Sequence, residues 1–480
     1  MIGTRRRLWL SALVAAIVVA FWLQAITVPF LRDDYSYLYA ARQSHRAGRP
    51  WFAGLLDAPR DSFQWRPLSF SPYWPLVERV FGGDARAAHA LNIVLLFLAA
   101  AAVGWLATML LRAAWPGSNA ALGGLLAALF YGLHGAHFLS AAWASASNQS
   151  LVTLFCALAL GFWLIACTVA GVKGCLAGVT AIVCSVAALL TKEFGAVLPL
   201  LQLLLLAWIW PRHKPTLRVW ILGMASLGVT GTWWLVRRRL GLPPPPPEYA
   251  IHLGLNVPRN AISLGLFLLN VPRESLRFML LQHSLGAGLW AITCLALQAA
   301  GCTLLWYGNA VRLSRRDYGL AAAFTITGCA PCLLLAWNCY AYYLSVALIP
   351  YAILLGLAAS QARRARLAIL LIVASAAIST AGNHLLPYPA AVARAHWARR
   401  QLEIVASLRD GNPKVFRGTV YVHVEDDHKF QGFGVCGLAY ALDKRPEDFV
   451  ILDPAKPVMK DRRVLVVPAD GDTRLAWADE

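Results

Sequence analysis

The chain has 480 residues, 59% of them hydrophobic and 14% charged, with a mean hydropathy of +0.56 and a formal charge of +19. A soluble domain is about half apolar and about a quarter charged, so this composition excludes an ordinary soluble globular protein. Most Lys and Arg residues lie in short loops between apolar runs and form no basic stripe, which excludes the nucleic-acid binders as well.

The first apolar run, at about residues 8–30, follows Arg5, Arg6 and Arg7. At about 23 residues it is too long for a signal-peptide core, and no small-residue cleavage site follows. It is expected to be a retained first helix with a cytoplasmic N-terminus. Ten more candidate spans lie at about 88–111, 121–139, 150–170, 175–191, 195–211, 217–236, 285–306, 319–337, 341–360 and 366–383. Their lengths approach the roughly twenty residues that cross about 30 Å of hydrocarbon. Eleven spans that start inside end outside. Arg112, Lys173, "PRHKPTLR", "RLSRR" at 312–316 and "RRAR" at 363–366 then fall on the cytoplasmic side. Residues 258–283 contain a short apolar run broken by Pro272, read as a helix on the outer surface rather than a span. The expected fold is a polytopic α-helical membrane protein with about eleven transmembrane helices over residues 1–383. A small extracytoplasmic α/β domain follows over 384–480, where "GTVYVHV", "DFVILD" and "RVLVVPA" read as strands. Such a chain belongs in an inner or plasma membrane.

Ten cysteines are present, nine of them in or beside apolar spans, where Cys behaves as a small hydrophobe. Cys329 and Cys332 form a CxxC with no second pair and no nearby His, so core packing is the reading and no metal site is assigned.

The outer segments are expected to carry the chemistry. "LRDDYSYLY" at 31–39 places Asp33 and Asp34 at the end of the first span, beside Tyr35, Tyr37 and Tyr39. Adjacent carboxylates repel, and one that holds its proton tightly beside a dry pocket can act as a base. Arg66, in "FQWRPLSF" at 63–70, suits a phosphate or carboxylate at the bilayer surface. His134 and His137 share one helix face at i and i+3; without a third ligand they read as the lining of a wet pocket. "TKEFGAVLP" at 191–199 sets Lys192 and Glu193 between two apolar runs. A charge at membrane depth costs about 2.5–3.5 kcal/mol on insertion scales, and a plain turn would use Gly, Asn or Ser instead. Arg237, Arg238 and Arg239 fall outside, against the positive-inside tendency, and so point to an anionic ligand. In the tail, the "HVEDDHKF" that begins at His423 is open to two readings, a metal site or a solvated strand end.

In this order the motifs resemble the GT-C superfamily of integral-membrane glycosyltransferases, over about residues 8–350. "LRDDYSYLYA" looks like the acidic motif of the first outer loop, and "RPLSF" like a motif later in that loop. "HALN", "LFYGLHGAHFLSAAWASA" and "LLTKEFGAVLP" look closest to the mannosyltransferases that carry tetratricopeptide repeats, with the aminoarabinose transferases of lipid A as further relatives. The chain departs from that pattern at Gly135, at the uncharged pair Asn148-Gln149, and in lacking a basic residue before "YAYYL". No tetratricopeptide pattern follows.

The resemblance implies transfer of a sugar from a polyprenyl-phosphate donor to a hydroxyl of a protein, lipid or glycan acceptor on the outer face. It implies Asp33, with Asp34 beside it, as the acid pair that orients and deprotonates the acceptor. Lys192 and one or more of Arg237–Arg239 would stabilise the leaving phosphate, with Glu193 holding Lys192. Arg66, His134, His137 and Tyr35 would line the substrate site. No cofactor is required by the residues, and a divalent cation is left open. A transporter or flippase for a lipid-linked or anionic substrate, and a membrane receptor, are the competing readings. The absence of related halves and the clustering of polar residues at one face weigh against the transporter.

Overall fold

The computed structural model describes residues 4–53, 63–271, 285–307, 313–336, 339–385, 391–452, 463–468 and 471–477. Long apolar helices dominate. Each of the eleven candidate spans overlaps a helix among these residues. Seven helices are long and apolar enough to cross a membrane, or eight if one bent pair is counted as a single span. The remaining candidates are the shorter apolar helices Glu193–Ile209 and Leu348–Ala359, and Arg315–Leu333, which opens on Arg315, Arg316 and Asp317.

Four elements position the site. Helix α1 (Thr4–Trp22) enters from the N-terminus and ends in a short 3-10 turn. Helix α2 (Asp33–Arg46) starts at the paired acid. The third span is the bent pair, Ala120–Gly132 and Gly135–Ala142, which meet at 49°. The fourth element is the break between the span Gly171–Thr191 and the helix Leu198–Ile209, where Lys192 is extended (φ −164°) and Glu193–Val197 form a 3-10 turn.

Small residues let the spans approach closely. A Cβ on Gly124 would come within 1.9 Å of Thr108 Oγ1 and 2.6 Å of the Gly104 carbonyl. Helix ends are closed locally: Asp84 accepts from the Arg86 N–H, and Ser314 with Asp317 forms a reciprocal capping box. Arg218 reaches across a loop to the carbonyls of Ala166 and Val169, at 2.7 and 2.8 Å.

Of the segment read as a surface helix, residues 256–268 form a helix, and 272–284 lie outside the described residues. At 13 residues it is too short to span. Asn260 fixes it to the bundle by donating to the carbonyls of Leu333 and Leu335 at 3.1 and 2.8 Å.

The tail forms a four-stranded sheet in the order β2-β1-β3-β4, with β1 Val420–Val424, β2 Phe449–Ile451, β3 Arg463–Val467 and β4 Arg474–Trp477. The first three match the expected strand segments. They pair in parallel, while β4 runs antiparallel to β3. Among the described residues, the core of this unit is continuous with that of the first loop. Val405, Val422, Leu438 and Leu465 belong to one buried cluster with Phe30, Tyr35, Leu38, Tyr73 and Trp74 of the first loop. Among the described residues, which include all ten cysteines, no disulfide forms.

Candidate functional site

The helix period divides the paired acid. The buried residues of α2 are Asp34, Tyr35, Leu38 and Ala41, a stripe at helical spacing, and Asp33 lies beside that stripe. Asp34 is 0% exposed and fully bonded. Its Oδ1 accepts from the Ser145 N–H at 2.8 Å and from the Ser145 hydroxyl at 2.5 Å, and its Oδ2 accepts from the Leu31 N–H at 3.0 Å. Asp34 thus ties the start of α2 to the bent third-span region. Asp33 is exposed, and no described side chain bonds its carboxyl. Protein mass crowding around it raises its pKa above the ordinary carboxylate value, against the opposing pull of the Arg32 and Arg66 guanidiniums. The residue before it is strained: Arg32 has φ 53° and ψ −115°, a region that costs a non-glycine residue about 1–3 kcal/mol.

The cations assemble around Glu193. Arg66 Nε donates to Glu193 Oε2 at 2.9 Å, and its Nη2 lies 2.8 Å from the same oxygen. Arg237 Nη1 lies 3.3 Å from Oε1, an ion pair rather than an aligned hydrogen bond, and its Nη2 donates to the Phe63 carbonyl at 3.2 Å. Burial alone would raise the Glu193 carboxyl; the Arg66 and Arg237 guanidiniums outweigh it and hold it below its ordinary value. Glu193 therefore pairs with Arg66 and Arg237, and the expected partner Lys192 is held otherwise. Lys192 is 3% exposed. Its Nζ donates to Asn148 Oδ1 at 3.0 Å and lies 5.1–5.5 Å from the ring centres of Phe194, Tyr342 and Tyr343. The ring faces stabilise the ammonium without neutralising it. Burial, then the nearby Arg66 charge, pushes its pKa well below the ordinary lysine value.

One continuous chain of hydrogen bonds joins the two halves. Lys192 donates to Asn148, the Asn148 amide donates to the Ser145 carbonyl at 2.9 Å, and Ser145 donates to Asp34. The loop after the first span is pinned from the other side, where the Ser69 hydroxyl donates to the Thr191 carbonyl at 3.0 Å. Tyr37 stacks on Phe70 at 4.5 Å and on Trp74 at 5.5 Å, and Asp33 and Arg66 are its strongest charged neighbours.

Other expected residues stand elsewhere. Tyr35 is buried in the cluster shared with the tail, against Phe30, and so serves as core rather than lining. Arg238 is exposed over the Trp234 ring, and Arg239 is exposed. Successive helical residues turn by about 100°, so only one of the three arginines can face Glu193. His134 and His137 are buried behind the bend. His134 caps it by accepting from the Ala136 N–H at 3.2 Å, and His137 packs 4.6 Å from the Tyr131 ring. Among the described residues, no group of three His, Cys, Asp or Glu could hold a metal ion.

Asp34 offers a direct stability test. Burial raises its carboxyl to about 7 against hydrogen bonds that pull it down. The folded protein therefore favours the protonated form. That contribution is full below the ordinary carboxylate value and is lost as pH rises through about 7. The melting temperature of the wild-type protein in detergent should fall between about pH 4 and 7 relative to Asp34→Asn. Parallel pH profiles for the two proteins would refute the assignment.

No family model matches the chain, and no curated protein is similar enough to match it. Three solved structures are similar in overall course. ArnT from Cupriavidus metallidurans in the apo state shares 15% identity over 93% of this chain and 86% of its own, with a TM-score of 0.46. The same protein bound to undecaprenyl phosphate gives 16%, 93%, 86% and 0.43. The archaeal oligosaccharyltransferase AglB from Archaeoglobus fulgidus, in complex with an inhibitory peptide and a dolichol-phosphate, gives 12% identity, 92% of this chain, 64% of that chain and 0.48.

Proposed function

We propose that the protein is an inverting glycosyltransferase that moves a sugar from a polyprenyl-phosphate carrier to a hydroxyl acceptor at the outer face of the membrane. One observation carries this reading. Four distant parts of the sequence bring an accessible, proton-retentive carboxylate (Asp33) together with three cations, Lys192, Arg66 and Arg237, at the mouth of an apolar helix bundle. The arrangement suits a donor with an anionic head and a greasy tail and an acceptor that arrives from water. The resemblance of the acidic and Lys-Glu motifs to the GT-C superfamily points the same way.

In the reaction, Asp33 accepts the proton of the acceptor hydroxyl. The oxygen attacks the anomeric carbon, and the bond from that carbon to the phosphate oxygen breaks on the opposite side. The electron pair leaves with the polyprenyl phosphate, which gains one negative charge. Lys192 meets that charge, with the arginines drawn partly from Glu193; donors fixed where charge develops are commonly the largest single contribution to catalysis. Asp34 does not take this proton, because it is fully buried and out of reach of an acceptor that arrives from water. It positions Asp33. The N-terminus lies in the cytoplasm and the tail on the outer side, where the site opens.

The test incubates membranes containing the protein with radiolabelled polyprenyl-phosphate mannose, and separately with other carrier-linked sugars. Label should leave the carrier, with free polyprenyl phosphate formed in equal amount. Label that changes leaflet with the sugar–carrier bond intact would convert the reading to a flippase. Within the same assay, Arg237→Ala should raise the donor KM by roughly 10- to 100-fold, the worth of a charge-assisted bond. Arg238→Ala and Arg239→Ala should leave it nearly unchanged. Equal effects at all three would remove Arg237 from the site.

A further inference from the structure

The tail touches the reaction centre through backbone and side chains that the proposed chemistry does not use. The strained Arg32, immediately before Asp33, donates its N–H to the carbonyl of Gly432 at 2.8 Å. Gly432 lies in the turn that leads into the helix Gly434–Leu442. That helix packs along α2 and supplies Tyr440. Arg42, two turns along α2 from Asp34, lies flat on the Tyr440 ring at 3.5 Å and donates to the Tyr440 carbonyl at 3.1 Å. Its Nε donates to Glu78 at 2.8 Å, and the Tyr440 hydroxyl donates to the other Glu78 oxygen at 3.2 Å. The ion pair is partly buried. Gly83 makes room for it: a Cβ there would stand 2.1 Å from the Tyr440 hydroxyl. Arg46 adds a second pair with Asp443 at 2.5 Å.

We propose that the C-terminal unit is a positioning element for the acid: its Gly432 carbonyl and its Tyr440 clamp on Arg42 and Glu78 hold the start of α2 so that the Asp33 carboxyl faces the acceptor. The inference rests on Asp33 being the base. A backbone turn in a sparsely populated conformation persists only where its surroundings over-determine it. Here the tail supplies part of those surroundings, through the Gly432 carbonyl, beside the bonds that Asp34 makes to Leu31 and Ser145. Releasing the clamp lets Arg32 relax, and Asp33 turns with it. The donor's phosphate contacts are made by other elements and stay as they were. Arg42 is thus a positioning residue, acting through α2.

The experiment compares Arg42→Gln, Arg42→Lys, Asp33→Asn and the Asp33→Asn/Arg42→Gln double variant. All are full-length, purified in nanodiscs and normalised to monodisperse protein, with polyprenyl-phosphate mannose as the probe or whichever carrier-linked sugar turns over. Arg42→Gln should lower kcat by roughly 10- to 100-fold, the scale of a 1 Å misplacement, with the donor KM nearly unchanged. Arg42→Lys should recover part of the loss. In the Asp33→Asn background the Arg42→Gln change should cost nothing further, because both act on one group. Wild-type kcat in Arg42→Gln beside an inactive Asp33→Asn would overturn the clamp alone. A full additional loss in the double variant would do the same. Wild-type turnover in Asp33→Asn would overturn the reading of the base, and the clamp with it. Should Arg42→Gln fail to fold, Tyr440→Ala removes both the ring over Arg42 and the bond to Glu78, and carries the same comparison.

Discussion

Asp33→Asn is expected to lower kcat by about 10²- to 10⁴-fold, the usual contribution of a positioned general base. The amide is nearly isosteric, and in the proposed reaction the donor's phosphate meets Lys192, Arg66 and Arg237 rather than Asp33. The donor KM should therefore stay close to wild type, the pattern of a contact made only in the transition state. The pH profile gives a second readout. Crowding by protein raises the Asp33 carboxyl above its ordinary value. A base must be unprotonated, so wild-type activity should fall on the acid side at a pH above the free carboxylate range. That limb should vanish from the residual activity of Asp33→Asn. An unchanged kcat at matched expression would move the search away from this loop.

Lys192→Ala is expected to lower kcat by about 10²- to 10³-fold, comparable with removing one donor to a developing anion. The change also leaves Asn148 Oδ1 without its partner, although Asn148 remains anchored to the Ser145 carbonyl. Binding carries its own signature. The lysine is buried among rings and near the Arg66 charge, which together outweigh the Glu193 carboxylate, so its pKa sits well below the ordinary value. An arriving phosphate supplies the missing opposite charge and raises that pKa again. Donor binding then takes up a proton, and affinity should weaken as pH rises between the free and bound values. Titration calorimetry in two buffers of different ionisation enthalpy measures the uptake. Zero proton uptake, or wild-type turnover in Lys192→Ala, would remove Lys192 from the phosphate site.

Much of this site was legible because charges are costly beside a membrane. Asp33, Lys192, Glu193, Arg66 and Arg237 each stand out against an apolar background, and the structure brings them to one end of the bundle. The neutral partners were not legible in the same way. Asn148, Ser145, Tyr342 and Tyr343 look ordinary among Ala, Leu and Ser, and only tertiary contact reveals that they receive Lys192 and Asp34. Two expectations could have been sharpened by helix periodicity. Once 33–46 is read as helix, Asp34, Leu38 and Ala41 form its buried stripe, Tyr35 joins them, and Tyr37 sits one turn from Asp33. Likewise, three consecutive arginines on a helix cannot share a face. For the fold, the spans followed from length and hydropathy, and three strands from their β-branched runs. The short strand Arg474–Trp477 gave no such signal. Nothing in the order of residues announced that the tail and the first loop would share one core.

That shared core also sets a schedule for making the protein. Arg42 and Tyr440 are 398 positions apart. A ribosome adding about 5–20 residues per second delivers the second roughly 20–80 s after the first. Throughout that interval Tyr35, Leu38 and Trp74 have emerged without the surface that later covers them. The loop bearing the acid therefore waits, half-clad, for the last tenth of the chain, and a chaperone at the membrane exit has a long window in which to hold it.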